Sequence, residues 1–345
     1  MLSRDADSCF WIGRYIERAE ATARMIDVHY HFGLESPVIR QTAQWSSIIT
    51  ISGAEKQFRS RYQGEEERDI IQFFAFDEEN SNSIVRCIRS ARENARTIRE
   101  IISSEMWESL NRTYLDMRHW NIERVMSVSP HEFFQWVKNR SHLFQGIMNR
   151  TLMMGESRDF LDTGRFLERA DQAARILDVK YHDLLPRFTK AEEDREDHEV
   201  GAVKLPVATS SEPPILGDPV GVGGPVDVHG WIAVLKSVGA YEGFRKTYHQ
   251  VTPANVADFL VLNSHFPASV RHSIGRVNGC LRRVSGNTGA APENSAERAV
   301  GKLYSQLNYI TAPEIIRGGL HEFLEDVQIQ CCEIGDAIME TYLTY

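Results

Sequence analysis

The sequence predicts an all-α protein: a helical bundle unit duplicated in tandem, its copies related by pseudo-twofold symmetry. Three observations carry this expectation. Apolar residues recur at three- and four-residue spacing, no stretch alternates convincingly with period two, and one segment occurs twice. GRYIERAEATARMIDVHYH (13–31) and GRFLERADQAARILDVKYH (164–182) share 11 identities in 19 positions at an offset of 151.

The first element is the helix through 13–31. At 100° per residue, Tyr15, Ala19, Ala23, Ile26 and Tyr30 share one face, and Arg14, Glu17, Ala21, Arg24, Val28 and His31 the opposite one. The next stretch, 45–62, contains SIITIS, which alone reads like a strand. Its counterpart at an offset of 186, WIAVLKSVGAYEGFRKTY (231–248), favours a helix. In 84–102, Ile84, Ile88, Ala91, Ala95, Ile98 and Ile102 mark one buried helical face. NSIVRCI (82–88) lies on ASVRHSI (268–274), and HEFFQWV (131–137) matches HEFLEDV (321–327) at an offset of 190. Four matches in one order define copies at roughly 1–153 and 154–345. The jump from 151 to 186 leaves 35 extra residues in the second copy, at about 187–226. There an acidic run, AEEDREDHE, precedes a segment rich in proline and glycine that excludes a regular helix. A mobile excursion or interaction loop is expected, not a domain.

Composition restricts the function classes. The 345 residues are 42% hydrophobic and 25% charged, ordinary for a soluble globular protein. The formal charge is −9, of which the acidic run holds −5, so the remainder carries −4 and selects no charged partner. Nucleic-acid binding is not expected. No apolar run approaches the roughly 20 residues that span a bilayer, and MLSRDADSCF lacks the pattern of a secretory signal. The five cysteines form no CxxC pair, which suits buried thiols in a reducing cytoplasm. There is no P-loop, HExxH or GxSxG, and GVGGP (221–225) opens no helical pattern. His29 and His31 flank Tyr30 but fall on different helix faces, so neither a metal nor a cofactor is expected.

The repeated charged stripe supplies the candidate site: Arg14, Glu17, Arg18, Arg24 and His31 with Arg165, Glu168, Arg169, Arg175 and His182. Several apolar positions are kept only by class, as in Tyr15/Phe166 and Ile26/Leu177, whereas these polar ones are kept by identity. Packing tolerates similar shapes. A guanidinium fork on a carboxylate does not tolerate lysine for arginine. The first reading is a buried ion network, with Glu17 and Glu168 held by arginines of both helices. The second uses the same atoms as a pocket for a carboxylate or phosphate, with glutamate orienting the arginines or acting as a base. A further stripe, Arg89, Arg92, Arg96 and Arg99, has the spacing of helical salt bridges at Arg89–Glu93 and Arg96–Glu100. Only Arg96 has an arginine counterpart, Arg282, and these two are secondary candidates.

At GRYIERAEATAR, and again at NSIVRCIRSARENARTIREIISSEMWESLN (82–111), the sequence resembles the bacterial alpha-E family, helical proteins with a recurring Glu-Arg motif. The motif stands here as Glu17–Arg18 and Glu168–Arg169, and the resemblance covers essentially the whole chain. The copies depart just before it, FWI (10–12) against LDT (161–163). Such proteins are commonly encoded beside ATP-grasp-type carboxylate–amine ligases and transglutaminase-like proteins, sometimes with a proteasome-like peptidase. The resemblance therefore implies a role in making or handling a peptide or amide product, and supplies no catalytic residue set. The expectation is a non-catalytic accessory subunit of an ATP-grasp-type ligase. The alternative is an enzyme on a carboxylate- or amide-bearing substrate, with Glu17 or Glu168 as base and the arginines as clamps.

Overall fold

Every regular element among the described residues is helical. The computed structural model describes residues 1–35, 41–184 and 225–344, so the insertion expected at about 187–226 lies outside them except for its last two positions. The first half runs α1 (Ser3–Glu35), α2 (Gln41–Ser52), α3 (Glu55–Arg59), α4 (Glu67–Ile71), α5 (Ile84–Thr97), α6 (Ser104–Met117), α7 (Ile122–Val128) and α8 (Pro130–Thr151). The second runs α9 (Glu156–Leu184), α10 (Pro225–Ser237), α11 (Tyr241–Thr247), α12 (Pro253–Ala257), α13 (Val270–Ser285), α14 (Ser295–Tyr309), α15 (Ala312–Gly318) and α16 (Leu320–Ile338). Single π-helical stretches occur at Gln72–Phe76, Asp258–Leu262 and Met339–Leu343.

Local chemistry sets the boundaries. The side chains of Ser83, Ser103, Asn121, Ser269 and Asn294 each accept from the backbone N–H three residues on, capping the helices that follow. Pro130 and Pro253 stand in first turns, where a missing N–H leaves no bond unmade. Gly53 and Gly239, 186 positions apart, both take φ of +66° where α2 and α10 stop. The same spacing relates other features: the stacked pair Phe58–Tyr62 at 5.0 Å has a counterpart in Phe244–Tyr248 at 5.1 Å.

The two longest helices, α1 and α9, run against each other through the centre. α5 and α8 flank α1, while α13 and α16 flank α9. α2 packs on α9 and α10 on α1, so each half sends a helix across to the other's central element. At the crossing both backbones need glycine. A Cβ on Gly13 would overlap the Leu161 carbonyl oxygen and come within 2.9 Å of Arg165 N. One on Gly164 would overlap the Phe10 carbonyl oxygen and stand 2.9 Å from its carbon. Ile12, Ile26, Leu167 and Leu177 are fully buried beside this crossing pair.

Candidate functional site

The glycine crossing brings the Glu-Arg pairs of α1 and α9 together within reach of each other. Glu168 is completely buried and accepts four bonds. Arg18 supplies two, Nε to Oε1 at 2.7 Å and Nη2 to Oε2 at 2.8 Å; Arg14 Nε adds one at 2.8 Å and Gln172 Nε2 one at 3.1 Å. Arg18 also donates to Asn82 Oδ1 at 2.8 Å. In return, Arg169 donates Nε and Nη2 to the two oxygens of Glu17, the second at 2.8 Å, and Gln145 Nε2 adds a bond of 3.3 Å. Burial alone would push the Glu168 carboxyl up. Arg18 and Arg14 outweigh it and hold the group far below the ordinary carboxylate range. Burial likewise works against the Arg18 charge, and Glu168 reverses the sign, so the guanidinium is held more firmly protonated than usual.

The two ends of this clasp differ, and one substitution explains it. Arg14 lies over the rings of Phe10 and Trp11, 5.8 and 5.7 Å from their centroids, and points at Glu168. Where the first half has Trp11, the second has Asp162. Arg165 pairs with that acid at 2.8 Å instead of reaching Glu17. Glu17 therefore keeps one arginine where Glu168 has two. Together with Arg169 it lines a cleft of about 280 Å³ shared with Glu20, Arg24, His142 and Gln145. Arg24 Nε donates to Glu20 at 2.8 Å. Burial would raise the Glu20 carboxyl, but its bonds from His142 and Arg24 bring it below its ordinary value. Gly239 gives Arg24 its room, since a Cβ there would stand 3.3 Å from Nη1.

The stripe is thus divided by the structure. Arg14, Glu17, Arg18, Glu168 and Arg169 meet in the clasp, and Arg165 serves Asp162. Arg24 and Arg175 bind acids one turn back on their own helices, Glu20 and Asp171. His31 lies elsewhere, with its Nε2 2.9 Å from His131 Nδ1. The side chain of His182 lies outside the described residues. Of the secondary candidates, Arg96 pairs with Glu93 and Arg282 donates to the Gly289 carbonyl, both local bonds. The spacing-derived pairs on α5 also change partners. Arg89 reaches Glu78 at 2.9 Å, and Arg96 takes Glu93 because α5 ends at Thr97, before Glu100.

Sequence reasoning gave no role to the polar supports Asn82, Gln145, Gln172 and Asp162, none of which is kept by identity at the matched position. It also passed over a repeated Asp–His pair whose signal was present. Asp27 and Asp178 are among the 19-position identities, and His131 and His321 open the matched HEF segments. The structure joins them, His131 Nδ1 to Asp27 Oδ1 and His321 Nδ1 to Asp178 Oδ1, each at 2.7 Å. The bond to Asp178 raises the His321 imidazole above its ordinary value.

Among known proteins, a family model named Alpha-E, described as a predicted alpha-helical domain with a conserved ER motif, matches residues 1–343. No curated protein and no solved structure matches the chain. No helix among the described residues is long and apolar enough to cross a membrane.

Proposed function

The chain belongs to the Alpha-E family, and on that premise we propose that it is a non-catalytic helical accessory subunit. Its partner is an ATP-grasp-type carboxylate–amine ligase that forms a peptide or amide product in the cytoplasm. Transglutaminase-like and proteasome-like proteins of the same pathway are further partners in this reading, and neither nucleic acid nor membrane is. The observation that carries it is the saturation of the family's own motif. Both glutamates accept from the arginine that follows the other glutamate, so the motif is spent on joining α1 to α9. Glu168, held far below the usual carboxylate range, is a weak general base, and arginines already forked on buried acids offer no open clamp to a substrate anion.

The same proposal includes a tandem duplication, 1–153 and 154–345, with pseudo-twofold symmetry. Its support is the reciprocity of contacts at matched positions: Gly13 on Leu161 and Gly164 on Phe10, Arg18 on Glu168 and Arg169 on Glu17. Matched π-helical stretches at Gln72–Phe76 and Asp258–Leu262 add to it. In such a pair of copies the insertion at about 187–226 marks one as different, which suits a one-to-one complex.

Co-expression with an ATP-grasp-type carboxylate–amine ligase tests the partner. A complex that survives size-exclusion chromatography, and weakens when residues 187–224 are deleted without loss of the helical fold, is the expected result. Separate elution at micromolar concentrations overturns it. One feature favours the enzymatic alternative, the cleft in which Glu17, Arg169, Arg24 and His142 meet. Turnover of a peptide or amide by the isolated chain, abolished in Glu17→Gln, establishes that alternative instead.

A further inference from the structure

We propose that Asp27, His31 and His131 bind a divalent first-row transition ion such as zinc, tying the C-terminal part of α1 to the first turn of α8. The inference stands apart from the ligase reading and rests on a different set of residues. Asp27 and His31 are one turn apart on α1, so they project from the same side. His131 stands in the opening turn of α8, which packs along α1.

Three ligand atoms converge there. Asp27 Oδ1 is 2.7 Å from His131 Nδ1, His131 Nδ1 is 2.9 Å from His31 Nε2, and His31 Nε2 is 3.7 Å from Asp27 Oδ1. All three lie within 4.8 Å of one another. Bonds of about 2.0–2.2 Å in tetrahedral geometry set ligand atoms roughly 3.3–3.5 Å apart. The two short edges need to open by only about half an ångström to match, and both imidazoles are more than 40% exposed at their side chains and free to move that far.

Proton accounting points the same way. His131 Nδ1 faces two acceptors, the carboxylate and the His31 ring nitrogen, and carries at most one proton to give. Two facing ring nitrogens 2.9 Å apart are compatible with a single shared proton, leaving an unmatched lone pair or an added charge. A cation between them satisfies all three atoms at once. Nitrogen donors select transition ions over magnesium or calcium, and a mixed Asp/His set is at home with zinc. Lys138 holds the other carboxylate oxygen, Oδ2, at 2.6 Å. That bond fixes the Asp27 orientation and restricts it to one metal-facing oxygen, while its charge weakens the site. His31 also lines a surface cleft of about 320 Å³ with His229 and Lys236.

The sequence repeats the three residue types at Asp178, His182 and His321. There Gln328 stands in place of Lys138, 3.1 Å from Asp178 Oδ2, and removes the opposing charge. The proposal concerns the first set, whose three side chains are all described.

Titration of the metal-free full chain with Co²⁺, followed by its visible ligand-field absorption, tests it. Saturable binding at micromolar Co²⁺ is expected, with one equivalent lost in His31→Ala and in His131→Ala. Zn²⁺ should displace the cobalt and raise the melting temperature of the parent by several degrees more than that of either variant. His31→Gln and His131→Gln, which retain hydrogen bonding without comparable metal affinity, give the same reading if an alanine variant loses its helical circular dichroism. No binding at micromolar Co²⁺, or the same number of equivalents in parent and variants, overturns the site.

Discussion

Arg18 and Glu168, 150 residues apart in the chain, form a two-pronged ion pair with N–O distances of 2.7 and 2.8 Å. Arg169 returns the same grip to Glu17. Each Glu-Arg motif thus offers its acid and its base to the other helix, Arg14 adding a second base on Glu168, and neither motif is complete within its own helix.

Removing the acids should have unequal effects. Glu168→Ala strands Arg14 and Arg18 beside a fully buried void, a loss of about 3–5 kcal/mol expected for a broken buried pair. Glu17→Ala releases only Arg169 into a cleft that water reaches, and should cost roughly 1–3 kcal/mol. Urea unfolding of both variants measures this. Equal losses would mean that the cleft does not hydrate Arg169.

The helix crossing makes its own prediction. Gly13→Ala and Gly164→Ala each force the α1 and α9 backbones apart and should destabilise by about 1–3 kcal/mol or more. Gly146→Ala and Gly301→Ala serve as controls. They lie in α8 and α14 with nothing within 4 Å of an added Cβ, so the helical preference of alanine should stabilise by about 0.5–1 kcal/mol. Thermal unfolding of the four variants separates the two classes.

Acid should loosen the clasp. The folded-state pKa of Glu168 lies far below the ordinary 4.5 because Arg18 and Arg14 override the opposing effect of burial. Its contribution is complete above that ordinary value and disappears as pH falls through the depressed one. The melting temperature should therefore drop below about pH 4.5, and less steeply in Glu168→Gln. His321 behaves oppositely. Its bond to Asp178 raises the pKa above the ordinary 6.5, so its stabilisation is full below that value and is lost as pH rises through the raised one. The effect is small, because His321 is more than a third exposed at its side chain. A pH series with His321→Gln tests it.

The halves should not fold alone. α2 packs on α9 and α10 on α1, while the Glu-Arg faces and Gly13 and Gly164 meet across the centre. Residues 1–153 expressed separately would expose the crossing face of α1 and leave Glu17 with only Gln145. Broad, non-cooperative melting is expected, and a sharp transition like that of the full chain would count against it.

Helical periodicity and the absence of period-two alternation made the helices legible from sequence, down to the buried face of Ile84, Ile88, Ala91 and Ala95. The repeat even corrected the strand-like SIITIS, which lies in α2. Partners were harder to read. Arg165 matches Arg14 by position, yet its acid is chosen by Asp162, a residue outside the shared stripe. His31 and His29 are neighbours in sequence, whereas the imidazole that His31 meets comes from α8, 100 residues on. Helical period assigns a face; which long side chain reaches it depends on the crossing, and that depends on two glycines whose identity was visible but whose contact was not.

The dependence of α1 on α9 has a temporal consequence on the ribosome. Arg169 is made 152 residues after Glu17, which at about 5–20 residues per second is a delay of roughly 8–30 s. Through that interval the nascent α1 can gather α5 and, towards its end, α8, but not the helix that neutralises its Glu17. The clasp therefore closes late in synthesis, and until then the crossing face of α1 lacks its partner.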